Sequence, residues 1–129
     1  MNKIVLVTGG SRGIGAATVQ AFAQAGCRVI LNYNKSEAAA RAIADAWPGQ
    51  VFPVQADVSD PAQVEELFRQ AEALCGPVEV LVCNAGLAQQ KLFTDLTDAD
   101  WARMIGVHLS GAFYCCRRAL PGMIRRKWG

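Results

Sequence analysis

The chain has 129 residues, 52% hydrophobic and 19% charged, the composition of an ordinary soluble globular sequence and of a size that suits one domain or part of one. Its 13 basic and 11 acidic residues leave a net charge of +2 without long runs of one sign, which gives no case for nucleic acid or a membrane surface as partner. The five cysteines, Cys27, Cys75, Cys83, Cys115 and Cys116, are odd in number and hold no C-x-x-C, so a disulfide framework and a zinc or other metal site are both disfavoured; they are expected to be small core residues.

"MNK" leads into the apolar run Ile4 to Val7, too short for a signal peptide or a membrane span and suited to a strand buried on both faces. The expected location is cytoplasmic. "TGGSRGIG" then turns the chain into a helix whose inward side is predicted as Ile14, Ala17, Ala21, Phe22 and Ala25, ending at Gly26. A second strand is predicted over Arg28 to Asn32, and a second helix over "EAAARAIADAW", capped by Ser36 and stopped by Pro48 and Gly49. The third strand, "VFPVQ", holds Pro53, which has no amide to give a ladder and therefore belongs on a sheet edge.

Asp60, Pro61 and Gln63 form the start signal of a third helix, with Val64, Leu67, Phe68, Ala71 and Leu74 as its buried stripe and Gly76 and Pro77 as its end. Val78 to Cys83 reads as a fourth buried strand running into "NAG". Thr97 then caps a long helix from Asp98 towards Lys127, which Pro121 is expected to kink or restart; "RRK" at 125–127 complements the dipole at its carboxyl end. Strands alternating with helices predict an α/β fold: a Rossmann-type doubly wound parallel sheet of about four strands in the order 3-2-1-4, incomplete over residues 1–129.

In such a sheet ligands sit beyond the carboxyl ends of the strands, where the strand order reverses, and four polar or glycine-rich loops converge there. In the first loop Gly9 and Gly15 are expected to let the backbone turn and approach a ligand and Gly13 to permit close helix packing, while Gly10 and Ile14 complete the loop and the helix amides face a pyrophosphate. The glycine spacing leaves Ser11 and Arg12 at the rim. Asp57 is expected to be free to accept from an adenine amino group, since Asp60 already caps the helix, with Val58 against the ring and Asn84, Ala85 and Gly86 beside the ribose. After the second strand no acidic residue occurs before Glu37; Arg12, Asn34 and Lys35 surround the place of a 2′-phosphate, which favours NADP(H) as cofactor over NAD(H).

"VTGGSRGIG", "ADVSDP", "VEVLVCNAG" and the segment from "DWARMIGVHLSG" to the end resemble the short-chain dehydrogenase/reductase family, most of all its 3-oxoacyl-[acyl-carrier-protein] reductase branch. The resemblance implies an NADPH-dependent carbonyl reductase acting on a small-molecule or carrier-bound carbonyl substrate, a homodimer or homotetramer when full length. It also implies an Asn on the long helix that holds a proton-relay water, a Ser, and a Tyr-x-x-x-Lys pair. Here His108 stands at the Asn position, with relay and packing both open to it. The Ser and the Tyr-x-x-x-Lys are not among these residues, because Tyr33 and Tyr114 are followed at the required offset by Glu37 and Arg118. The chain is therefore expected to be the amino-terminal, NADP(H)-binding part of a longer reductase domain and to be inactive alone. An open edge on the fourth strand and an apolar helix face with Ile105, Leu109, Phe113 and Leu120 should make it self-associate. "VHLSGAF" and "LPGMIRRKWG" carry a weaker likeness to the elongation factor P 5-aminopentanone reductases of the same family, and a non-catalytic nucleotide-binding or interaction module is the reading from outside it.

Overall fold

The computed structural model describes residues 1–129. The strands β1 (Ile4–Val7), β2 (Arg28–Tyr33), β3 (Val51–Gln55) and β4 (Val80–Val82) form one parallel sheet in the order β3-β2-β1-β4. The connecting helices are α1 (Gly13–Gln24), α2 (Glu37–Ala46) and α3 (Pro61–Leu74); beyond β4 lie α4 (Asp98–Ile105), a π turn (Gly106–Ser110) and α5 (Gly111–Arg126). Pro53 faces Leu31 in a strand whose only neighbour is β2, so its missing amide interrupts no second ladder.

Alternation along the central strands divides the core in two. Leu6 and Ile30 point to one face and pack with Val64, Leu67, Phe68 and Ala71 of α3 and Cys115 and Ala119 of α5. Val5, Val7, Val29 and Leu31 point to the other, against Val19 and Ala23 of α1 and Ala40 of α2. All six of these strand residues are fully buried, each aliphatic side chain worth roughly 1.5–3 kcal/mol of transfer free energy.

Several local expectations are corrected. The inward stripe of α1 is Gly15, Val19 and Ala23, while Ile14, Ala17, Ala21 and Ala25 are exposed and Phe22 is half-buried. The reason is close approach: α1 meets the β1 turn with its smallest residues, since a side chain at Gly15 would run into the Gly9 carbonyl. Leu74 is exposed, its last helical turn having passed the end of the sheet. Ser36 holds the cap position of α2 without a side-chain bond to it, and β4 is shorter than expected and only half-buried because its outer side has no strand.

The long helix is interrupted at residues 106–110 and not at Pro121, which lies on an exposed face inside an unbroken α5. Its start is capped as expected by Thr97, in a reciprocal box with Asp100, and Arg125 and Arg126 lie in its last turn. The cysteines divide: Cys27 and Cys115 are buried, Cys75 and Cys116 half-buried and Cys83 exposed at the end of β4. No helix is long and apolar enough to cross a membrane.

Candidate functional site

β1 continues into Thr8, a buried residue whose hydroxyl ties the first strand end to the fourth. Its Oγ1 accepts from the amides of Asn84 and Ala85, each at 3.0 Å, and Asn84 Nδ2 donates back to the carbonyls of Thr8 at 3.1 Å and Gly9 at 3.0 Å. On the other side Asn32, 1% exposed, accepts from Gly9 N at 3.2 Å and donates to Ala56 O at 3.1 Å. The ends of the four strands are thus fastened together by two side chains, Thr8 and Asn32, where the order reverses.

Above these ends opens a cleft of about 710 Å³. Gly9, Ser11, Arg12, Ile14, Gly15, Asn34, Lys35, Asp57, Val58, Asn84, Ala85 and Gly86 all line it, as the sequence predicts. Gly10 and Gly13 do not line it, and the glycines divide their work differently from expectation. Gly9 has a φ of +63° and Gly13 of +54°, so both are needed for the turn, and a side chain on Gly13 would meet nothing. Close packing is the task of Gly15, against Gly9 and Asn84, and of Gly10, where a Cβ would stand 2.9 Å from Val19 and 3.1 Å from Leu31.

The amides of Gly13, Ile14 and Gly15 at the start of α1 donate to no acceptor in the protein. Arg12 and Lys35 pair with no carboxylate, although they line the same cleft. Asn34 is steadied by Gln55, whose Nε2 donates to its carbonyl and side-chain oxygens, each at 3.2 Å. The combination is free backbone donors at a helix amino end, two unpaired cations, and glycines where a side chain would fill the cradle. This donor set fits a phosphorylated dinucleotide.

Asp57 is not the unpartnered carboxylate expected. Its Oδ1 accepts from the amide and hydroxyl of Ser59, and its Oδ2 from Arg103 Nη1 at 2.9 Å. Partial burial raises its pKa, but the hydrogen bonds from Ser59 and the Arg103 guanidinium outweigh this and hold the carboxyl below the usual carboxylate range. Gln63 turns from a capping role towards the same loop, its Oε1 accepting from Asp57 N at 2.8 Å while its Nε2 donates to Asp60 Oδ2.

His108 stands exposed in the π turn, outside the cleft lining, and holds Leu87 of the wall. Its Nε2 lies 2.8 Å from Leu87 O and 3.0 Å from Leu87 N, and Nδ1 has no hydrogen-bond partner in the protein. The ring also accounts for Gly86, where a Cβ would come 2.6 Å from His108 Cε1. On the far side of the same strand end Cys83 Sγ is 3.9 Å from Cys116 Sγ; burial and that neighbour push the Cys83 thiol up to about 11.

Sequence reasoning missed Thr8, Asn32 and Arg103. A signal existed for Asn32, an amide at the end of an otherwise apolar strand, and for Thr8, a hydroxyl between a buried strand and the glycines. Arg103 carries none, since its partner is 46 residues away in the sequence.

The comparisons agree with this geometry. The short chain dehydrogenase family model matches residues 3–129. The chain is 35% identical to the 3-oxoacyl-[acyl-carrier-protein] reductase FabG of Staphylococcus epidermidis, over 100% of this chain and 54% of that protein. It is 32% identical to a short-chain dehydrogenase of Streptomyces avermitilis, at a TM-score of 0.91 over 99% of this chain and 47% of that one. It is 34% identical to a blue fluorescent protein from a metagenomic library, solved in complex with NADPH, at a TM-score of 0.85 over 92% of this chain and 50% of that one. The chain spans about half the length of the curated relatives it matches. With the parallel 3-2-1-4 sheet and the glycine turn at its switch point, it belongs to the short chain dehydrogenase family of oxidoreductases.

Proposed function

We propose that this chain forms the NADP(H)-binding part of an NADPH-dependent carbonyl reductase of the 3-oxoacyl-[acyl-carrier-protein] reductase type. Its substrate is a small or carrier-bound carbonyl compound, and the full-length protein works in the cytoplasm as a homodimer or homotetramer. The observation that supports the cofactor most is the pairing of free α1 amides with the unpaired cations Arg12 and Lys35, at a cleft where β2 ends without a carboxylate.

In this reading the amides of Ile14 and Gly15 hold the pyrophosphate, Arg12 and Lys35 with Asn34 hold the 2′-phosphate, Asp57 and Val58 face the adenine, and Asn84, Ala85 and Gly86 border the ribose. When bound, NADPH supplies the hydride that reduces a carbonyl. The chain's own residues bind and orient: Thr8 and Asn32 fix the strand ends, and His108 fixes Leu87 while its free Nδ1 offers a place in a proton relay. The family's Ser and Tyr-x-x-x-Lys are not among these residues; Tyr33 is buried in the core and Tyr114, in α5, packs half-buried against it, so residues 1–129 alone should show no turnover.

Titration of both cofactors against the full-length protein tests this. Arg12→Ala is expected to weaken NADPH by roughly 10- to 100-fold while leaving NADH nearly unchanged, the value of a charged hydrogen bond of about 1.5–3 kcal/mol. An equal loss for the two, or none, removes Arg12 from the selectivity role.

A further inference from the structure

Asp57 lines the cleft with its carboxylate almost saturated. Each carboxylate oxygen has two acceptor directions in its plane. Oδ1 uses both, accepting from Ser59 N at 3.0 Å and Ser59 Oγ at 2.7 Å. Oδ2 uses one, for Arg103 Nη1 at 2.9 Å, and the same Nη1 reaches Ser59 Oγ at 3.0 Å. One acceptor direction is left, on Oδ2, and both Asp57 and Arg103 face the cleft.

A carboxylate on a single rotatable bond presents acceptors in many directions unless something fixes its plane. Ser59, two residues on in the same loop, fixes the carboxylate only relative to that loop. Arg103, arriving from α4 on the opposite side, removes the remaining freedom and also balances the negative charge beside a site built for phosphates. We propose that Arg103 is the positioning residue for base recognition: by fixing Asp57 it leaves one oriented acceptor that reads an amino-bearing purine and rejects a purine with a carbonyl at that place. An exocyclic amine donates to the remaining lone pair of Oδ2, whereas a carbonyl oxygen sets acceptor against acceptor. This inference rests on the dinucleotide reading above and adds to it the group that selects the base.

The experiment compares NADPH with its hypoxanthine analogue, in which the adenine amine is replaced by a carbonyl, by nicotinamide fluorescence titration of the full-length protein. The wild type is expected to prefer NADPH by about tenfold or more. Arg103→Met should bring the ratio to within about threefold of unity, and Arg103→Lys, which keeps a cationic donor, should restore most of it. A merely structural role would lower thermal stability and weaken both nucleotides equally. An unchanged ratio in a folded Arg103→Met protein overturns the inference. Where Arg103→Met does not fold, Ser59→Ala decides: the backbone amide stays on Oδ1, but the hydroxyl that holds both Oδ1 and Arg103 Nη1 is lost, which should relax the ratio in part, and a wild-type ratio there overturns the inference too. A wild type that binds both nucleotides equally also overturns it, while one that binds neither defeats the dinucleotide reading itself.

Discussion

Replacing Asn32 tests the strand-end scaffold directly. The side chain is fully enclosed, with its oxygen on Gly9 N at 3.2 Å and its nitrogen on Ala56 O at 3.1 Å; the 3.4 Å contacts to Tyr33 O and Val54 O add little. Asn32→Ala removes both good bonds and leaves a buried donor and a buried acceptor without partners, at about 1–3 kcal/mol each. The expected loss is therefore roughly 2–6 kcal/mol, a fall of about 1–3 M in the urea midpoint if the slope is near 2 kcal/mol/M. Asn32→Asp sharpens the test. It keeps an acceptor for Gly9 N but turns a carboxylate oxygen towards three carbonyls, so it should be at least as destabilising as alanine although it is nearly isosteric. Urea unfolding followed by tryptophan fluorescence on the full-length protein measures both variants. An Asn32→Asp protein as stable as the wild type would refute the assigned orientation, and an Asn32→Ala loss below about 0.5 kcal/mol would refute the scaffold role.

Gly86→Ala places a Cβ 2.6 Å from His108 Cε1 and should displace the ring from Leu87, raising cofactor Kd; adding His108→Ala removes the clash, so the double variant should bind better than Gly86→Ala alone, and simple additivity in titration would count against the contact. His108→Leu should lower kcat with little change in cofactor affinity if Nδ1 serves the relay, and an unchanged kcat in a folded protein would assign His108 to packing alone. The Asp57–Arg103 pair gives a pH signature: the folded carboxyl titrates below its unfolded value of about 3.9, so its stabilisation is present above that pH and is lost as pH falls through the folded value. The stability difference between wild type and Asp57→Asn, about 1 kcal/mol for a partly solvated pair, should be flat from about pH 5 upward and shrink below about pH 4 in denaturant titrations; a difference that grows on acidification contradicts the assignment. The buried Cys115, its thiol pushed up to about 12, should resist iodoacetamide near pH 8, and its rapid alkylation, read by mass spectrometry, would contradict that environment.

The sheet was legible because its determinants are local. Short apolar runs between polar or turn residues mark the strands, and Pro53 alone places β3 on an edge. The face of α1 was not legible from hydrophobicity, because the contact with β1 is so close that Gly15 and Ala23 fill it and Ile14 is left to the cleft. A pattern of large apolar residues finds helices that pack at ordinary distance and misses one that packs through its small residues. Pro121 misled for a related reason: a proline on an exposed face removes one hydrogen bond without obstructing the packing of Cys115 and Ala119.

The π turn shows what sequence periodicity cannot supply, because it exists to satisfy contacts with distant loops. Before it, in α4, Arg103 is bound to Asp57 and Ser59; within it His108 is bound to Leu87; and just beyond it, at the start of α5, a Cβ on Gly111 would stand 2.8 Å from Val58 Cγ2. The wider turn over Gly106–Ser110 lies between the first of these contacts and the last, on a single helical arm that makes all three. The arm joins the loop after β3 to the loop after β4, which in the proposed function are the adenine side and the ribose side of one cleft. Because residues 103, 108 and 111 lie on one continuous helical arm, the proposed adenine wall at Asp57 and the placement of Leu87 share one support.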